Sequence, residues 1–366
     1  MATLNDRILG TALGAAVGDA LGCPFEFQAR ATVTQRLGEP PWIDKLYPVE
    51  GISIHPLGIW QESSPCGIST DDTRMSWLML RLFAEQGLHA RPVDLARHYL
   101  AVYTRPQDYF PAHPELARQN LAYYVDAACA VLRQHSPEHP QASLEALASG
   151  ALGVGMPTLL GMISLPCAGC LEPGNHEEAY RRAFSLAFMD VGYARDVTAV
   201  MAALVALLCG GEPLRESVAL ALSLNPFGVD PSWRERVRGW LKDCSHLTSD
   251  RAVSALLTEA CWGMHPFDPV AALGTALCCL VHAEGSFERA LLLAVNQWEL
   301  SRHGEPQRLR DVDCIGSITG ALCGAYAGRA DIPPSWLSRC QAANLEVYGF
   351  DIVQTAEHFC ERIGAR

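Results

Sequence analysis

Glycines recur at positions 316, 320 and 324 in the run Ile315–Ala327. At 3.6 residues per turn this spacing puts all three on one helix face, where no side chain holds a neighbour away. A helix of that kind belongs at the close-packed centre of a protein. The opening run Leu4–Leu21 is also rich in small residues, with Gly10, Gly14, Ala15 and Gly18 at close spacing. It too admits a neighbouring helix at short range.

The 3.6-residue apolar pattern recurs along the rest of the chain. It predicts helices over Met75–Gln86, Pro92–Val102, Pro114–Gln134, Glu178–Met189, Asp196–Leu208, Glu216–Leu224, Ser232–Asp243, Asp250–Cys261, Pro269–Val281, Phe287–Gln297, Ser335–Leu345 and Ile352–Ile363. Alternating strand text is nearly absent. The best candidate, Gly51–Trp60, is demoted by Pro56. Glycine and proline collect in extended loops at 23–69, 104–113, 135–140, 150–174 and 301–310. With no tandem period and no low-complexity linker, the expectation is one all-α domain over residues 1–366.

Hydrophobic residues make up 49% of the 366, ample for a core, and the net charge is −12 with no Lys/Arg run, so nucleic acid is not an expected partner. Asp6 and Arg7 interrupt the opening apolar stretch, which does not read as a secretion signal. The apolar runs Val197–Leu208 and Val270–Val281 are short for a bilayer span and read as core helices. Of fourteen cysteines, Cys129, Cys209, Cys278, Cys279 and Cys323 lie in apolar helical text and behave as small hydrophobes. Cys167-Ala-Gly-Cys170 has no second pair, which argues for a structural role over a zinc site. This cysteine usage fits a reducing, cytoplasmic setting.

Two acidic clusters carry the chemistry. Thr70-Asp71-Asp72-Thr73 and Asp311-Val312-Asp313-Cys314 each stand directly before a run that reads as a buried helix. Capping alone is one reading of the first, since Asp is favoured in a first helical turn. The second precedes the glycine-faced helix, where carboxylates are enclosed by protein and are costly unless something pairs with them. Hard divalent cations shared between the clusters would meet that cost, because they take oxygen ligands from Asp and Thr. Glu26 follows the first helix in Gly22-Cys23-Pro24-Phe25-Glu26-Phe27; Gly22 can supply a left-handed cap and Pro24 prevents continuation. Its two Phe neighbours favour partial burial and a raised pKa, suited to an acid/base, although a surface carboxylate is the plainer alternative.

With these landmarks the sequence resembles the ADP-ribosylglycohydrolase family from Ile8 to Trp336. The resemblance rests on Gly10–Phe27 with Glu26, the Thr70–Thr73 corner, the helix Phe287–Asn296, and Asp311-Val312-Asp313 before a Gly/Ala helix. It implies a compact orthogonal helical bundle and a Mg²⁺-dependent hydrolase that removes ADP-ribose from a modified protein or a small acceptor. The resemblance further implies two Mg²⁺ ions held by Thr70, Asp71, Asp72, Asp311, Asp313 and Cys314. Water would attack the anomeric ribose carbon, with Asp72 or Glu26 taking its proton.

Three departures set this chain apart from that pattern. Cys314 stands where relatives carry Thr or Ser, and a thiol is a poor partner for Mg²⁺. That implies either a weaker second site or one in which water replaces the thiol. The segment Ser149-Gly150-Ala151-Leu152-Gly153-Val154-Gly155-Met156-Pro157 lacks the family's Arg, leaving Ser149, Gly150 and Gly153 as backbone approaches to the substrate. The family's central Thr-His pair is replaced around Tyr193, which can stack on a base or ribose or serve as a helix-start residue. Asn296–Arg310 is also longer than the family's short link and could form a rim that reads the acceptor. The alternatives are hydrolysis of another N-ribosyl bond and a non-catalytic binder, such as an immunity protein against an ADP-ribosylating toxin. No partner membrane is expected.

Overall fold

The computed structural model describes residues 2–50, 63–134 and 156–364. The strand candidate at 51–60 and the positions Ser149, Gly150 and Gly153 lie outside the described residues. The helices, in chain order, are α1 (Leu4–Gly22), α2 (Arg30–Leu37), α3 (Asp71–Gln86), α4 (Pro92–Thr104), α5 (Pro114–Gln134), α6 (Leu160–Ser164), α7 (His176–Leu186) and α8 (Tyr193–Gly210). They continue as α9 (Leu214–Ser223), α10 (Ser232–Cys244), α11 (Asp250–Ala260), α12 (Pro269–His282), α13 (Phe287–Ala294), α14 (Val312–Ala327), α15 (Pro334–Tyr348) and α16 (Ile352–Gly364). Among the described residues strand is confined to two small antiparallel pairs, β1 (Val49–Glu50) with β2 (Ser63–Ser64) and β3 (Trp298–Leu300) with β4 (Pro306–Leu309). The fold is all-α.

α1 and α14 form the central pair, packed antiparallel along their whole length. Gly10 faces Gly324, Gly14 faces Gly320, Gly18 faces Gly316, and Gly22 meets the Val312–Asp313 peptide. At each crossing a Cβ would overlap the opposing backbone. Both small-residue faces read from the sequence are therefore used, and they are used against each other. Gly22 corrects an expectation. It keeps right-handed helical torsions, with φ −79° and ψ −36°, and the chain runs on into a 3-10 turn over Cys23–Phe25. Contact with α14, not a left-handed cap, is what requires glycine there.

Helix boundaries follow local chemistry. α1 starts where the Thr3 side chain accepts from the Asp6 amide at 3.2 Å. α13 stops at Ala294, short of the expected Gln297, because two amide side chains bond the carbonyls of its last turn. Asn296 Nδ2 donates to Leu292 O at 2.6 Å and Gln297 Nε2 to Leu293 O at 2.9 Å. The chain then turns into the β3–β4 hairpin, whose turn and second strand fall in the expected loop 301–310. The expected loop 23–69 likewise contains α2. α8 is 18 residues long, long enough to meet a membrane-span test, but 89% of its apolar window is buried inside the fold and it is a core helix. One contiguous apolar core runs from Ile8 on α1 to Cys360 on α16. Cys167 and Cys170 are buried within it, in the 3-10 turn Pro166–Leu171.

Candidate active site

The glycine rail decides where the acids go. Because α1 and α14 run antiparallel in backbone contact, the end of α1 lies beside the start of α14. Glu26, just past α1, is thereby delivered to Asp311 and Asp313. The first acidic corner is fastened to the same rail by Asp19 of α1. Both Asp19 carboxylate oxygens accept from the Thr70 amide at 3.0 Å, and Oδ2 also accepts from the Thr73 amide at 3.0 Å and the Thr73 hydroxyl at 2.5 Å. Thr70 occupies the N-cap of α3, its hydroxyl accepting from the Asp72 amide at 3.2 Å. On the other side, Arg310 steadies the approach to Asp311 by donating to the carbonyls of Cys261 and His265 at 3.4 and 3.2 Å.

Glu26, Asp71, Asp72, Asp311, Asp313 and Cys314 line one cavity of about 220 Å³. Asp72, Asp311 and Asp313 are 1–2% exposed. Among the described residues, Asp72 Oδ2, Asp313 Oδ1 and both oxygens of Asp311 have no hydrogen-bond partner. An unpaired buried carboxylate costs several kcal/mol, so such a group either keeps its proton or meets a cation. Burial first, and the proximity of Asp313 second, push Glu26, Asp72 and Asp311 well above the usual carboxylate range. Asp19 is raised to about 7 by the same two causes, its hydrogen bonds opposing them.

These orphaned oxygens fit divalent cations. The ligand atoms of Asp72, Asp313 and Cys314 lie within 4.8 Å of one another, as do those of Glu26, Asp311 and Asp313. Asp313 belongs to both sets and is placed to bridge them. Oxygen-rich donor sets of this kind suit hard ions such as Mg²⁺ or Mn²⁺. Cys314 is the soft exception. Its thiol donates to Asp72 Oδ1 at 3.4 Å, and burial with the surrounding carboxylates pushes its pKa well up.

The opposite wall is mostly apolar: Tyr124, Leu159, Leu160 and Ile163, with Met156 and Phe267, 38% and 37% exposed. Asn120 adds a side-chain amide, held by Arg74 Nε at 2.9 Å. Tyr193 is not part of this lining; it begins α8 and its hydroxyl donates to Asp268 at 2.9 Å, one residue from Phe267. Sequence reasoning passed over Asp19, Asn120 and Phe267. Asp19 alone carried a usable signal, a lone acid in an apolar, small-residue helix.

The family model described as ADP-ribosylglycohydrolase matches residues 1–365. The ADP-ribosyl-[dinitrogen reductase] glycohydrolase of Rhodospirillum rubrum is 24% identical to this chain over 354 residues, spanning 92% of this chain and 91% of that one. A solved chain from an ADP-ribosylglycohydrolase-related protein complex superposes with a TM-score of 0.59 at 23% identity, covering 98% of both chains. The last of these is a likeness of fold.

Proposed function

We propose, because this chain belongs to the ADP-ribosylglycohydrolase family and is a glycohydrolase, that it removes ADP-ribose from a modified acceptor in a Mg²⁺-dependent reaction. The observation that carries this reading is the set of carboxylate oxygens on Asp72, Asp311 and Asp313 that have no hydrogen-bond partner among the described residues and line one cavity from two helix starts. Thr70, Asp71, Asp72, Asp311, Asp313 and Cys314 would hold the cations, which supply charge stabilisation and a template for ribose hydroxyls when bound.

The protein's own part follows from the geometry. The bond from the anomeric carbon to the acceptor breaks with its electron pair leaving on the acceptor atom, and water adds to the carbon. The acid-lined side of the cavity favours the positive charge that develops on the ribose ring. Glu26 sits among these acids at a turn, 8% exposed, and it or Asp72 would take the water's proton. Burial and the proximity of Asp313 push Glu26 well above the usual carboxylate range, and a neighbouring positive charge would lower it toward the ionised form a base needs. The apolar wall of Leu160, Ile163 and Phe267 limits access of bulk water.

The Rhodospirillum rubrum relative is named for a protein acceptor, dinitrogen reductase, and we extend a protein acceptor to this chain. Metal-stripped protein should release ADP-ribose from at least one of a panel of Arg-, Ser- and Thr-linked conjugates once Mg²⁺ is restored. Release independent of Mg²⁺, or none from any conjugate, would count against the assignment.

A further inference from the structure

A second cavity, of about 500 Å³, is lined in part by Pro306, on the strand that leads into Asp311. Its walls are α11, the β3–β4 hairpin and the segment Pro40-Pro41-Trp42. Three indoles, of Trp42, Trp262 and Trp298, face it, and Trp262 is 54% exposed. Among the described residues none of these indole N–H groups makes a hydrogen bond. Two guanidinium groups also line the cleft, and they differ. Arg30 is neutralised by Glu39 at 2.8 Å. Arg251 stacks on Trp42, 5.2 Å from the ring centre, and meets no carboxylate among the described residues.

The cleft and the acid cavity share a wall. Ala29 pairs with Arg308, and the Leu309 amide donates to Gln28 O at 3.0 Å. Glu26 therefore lies four residues from Arg30, and Asp311 five from Pro306. Along the surface, Phe267 at the mouth of the acid cavity touches Phe27 edge-on at 5.6 Å, and Arg308 stacks on Phe27 at 5.0 Å. The hairpin that builds this surface is the long 296–310 segment singled out in the sequence.

We propose that this cleft docks an extended, proline-containing and acidic segment of the acceptor protein, making a polypeptide the substrate class; the proposal rests on the hydrolase reading. Flat indole faces, with N–H donors that have no partner among the described residues, match the pyrrolidine rings and outward carbonyls of a polyproline II strand, which binds at low entropic cost because it is already extended. Arg251 supplies the partner for a carboxylate on that strand. A nucleotide is a poorer fit. Its diphosphate would bring two or more negative charges to the one guanidinium that meets no carboxylate among the described residues, with Glu259 on the same wall, whereas a single peptide carboxylate needs Arg251 alone.

The test uses the full chain and fluorescence anisotropy with two labelled synthetic peptides, one of repeated Pro-Pro-Glu units and one of Pro-Pro-Lys units. The Glu peptide should bind more tightly. Trp262→Ala should weaken it by about tenfold or more, and Arg251→Glu should abolish or reverse the preference for Glu over Lys. Both variants should release ADP-ribose as the wild type does from whichever small Arg-, Ser- or Thr-linked conjugate the wild type cleaves. Absence of peptide binding, or binding indifferent to both substitutions, would overturn the proposal. So would Arg251-dependent competition by ADP, which would make the cleft a nucleotide site. Peptide binding that passes these tests in a protein releasing no ADP-ribose would uphold the cleft and contradict the hydrolase reading.

Discussion

Asp19 Oδ2 accepts the Thr73 hydroxyl at 2.5 Å across the gap between α1 and α3. With the two amides that the same carboxylate receives, this contact ties the first acidic corner to the rail that carries the second. Asp19→Asn would turn an NH₂ group toward donors that need an acceptor. We expect a loss of about 1–3 kcal/mol, the usual cost of leaving buried donors unsatisfied. The Mg²⁺ requirement should rise with it, because Thr70 and Asp72 are no longer held in place. Thermal melts and a Mg²⁺ titration check this, and an unchanged Mg²⁺ midpoint would remove Asp19 from the positioning role.

Gly18→Ala places a methyl group on the Gly316 carbonyl. The two central helices must separate, which should cost about 1–3 kcal/mol as an overpacking change and lower activity by parting Glu26 from Asp313. Gly239, inside α10, has open space around its missing Cβ. There Gly→Ala should instead stabilise by about 0.5–1 kcal/mol through helix propensity. Chemical denaturation of the two variants should give opposite signs.

Much of this was legible in the sequence, because glycine spacing and paired acids are local signals. The i, i+4 glycines announced close packing, and Thr70–Asp72 with Asp311–Asp313 announced a shared charge problem. What stayed hidden depended on distant partners. Gly22 read as a cap because the helix it abuts lies nearly three hundred residues away. Asp19 gains its role only when Thr70 and Thr73 are placed beside it. The β3–β4 hairpin is too short and irregular, with a register shift at Glu299/Leu300, to leave an alternating pattern. α2 has a single buried residue, Val33, too little for an apolar stripe.

Stability of the metal-free protein should fall as pH rises. Glu26, Asp72 and Asp311 have folded-state pKa values raised by burial and by Asp313. The folded state therefore holds protons that the unfolded state has released. Their contribution is complete below the unfolded value near 4 and is lost as pH climbs through the raised folded values. Melting temperature without metal should decline as pH rises above the unfolded value near 4, and Mg²⁺ should offset the decline by pairing the ionised forms. A melting curve that is flat in pH and indifferent to Mg²⁺ would contradict both the burial and the cation site.

Cys314 tests the donor set at its soft position. If it takes part in holding a cation, Cys314→Thr should lower the Mg²⁺ concentration for half-maximal activity severalfold, and the wild type should be the more sensitive to Zn²⁺. If the thiol only bonds Asp72, the midpoint should stay where it is while stability drops, because a hydroxyl replaces a buried thiol.

The most direct test of the central claim is ADP-ribose release by Asp72→Asn and Asp313→Asn at saturating Mg²⁺, with helical content followed by circular dichroism. Each change removes a charge from the cluster and keeps its shape, and in the metal-free fold it relieves repulsion. Both variants should remain folded and lose hydrolysis. Near-normal turnover in either would contradict a reaction centred on cations held between α3 and α14.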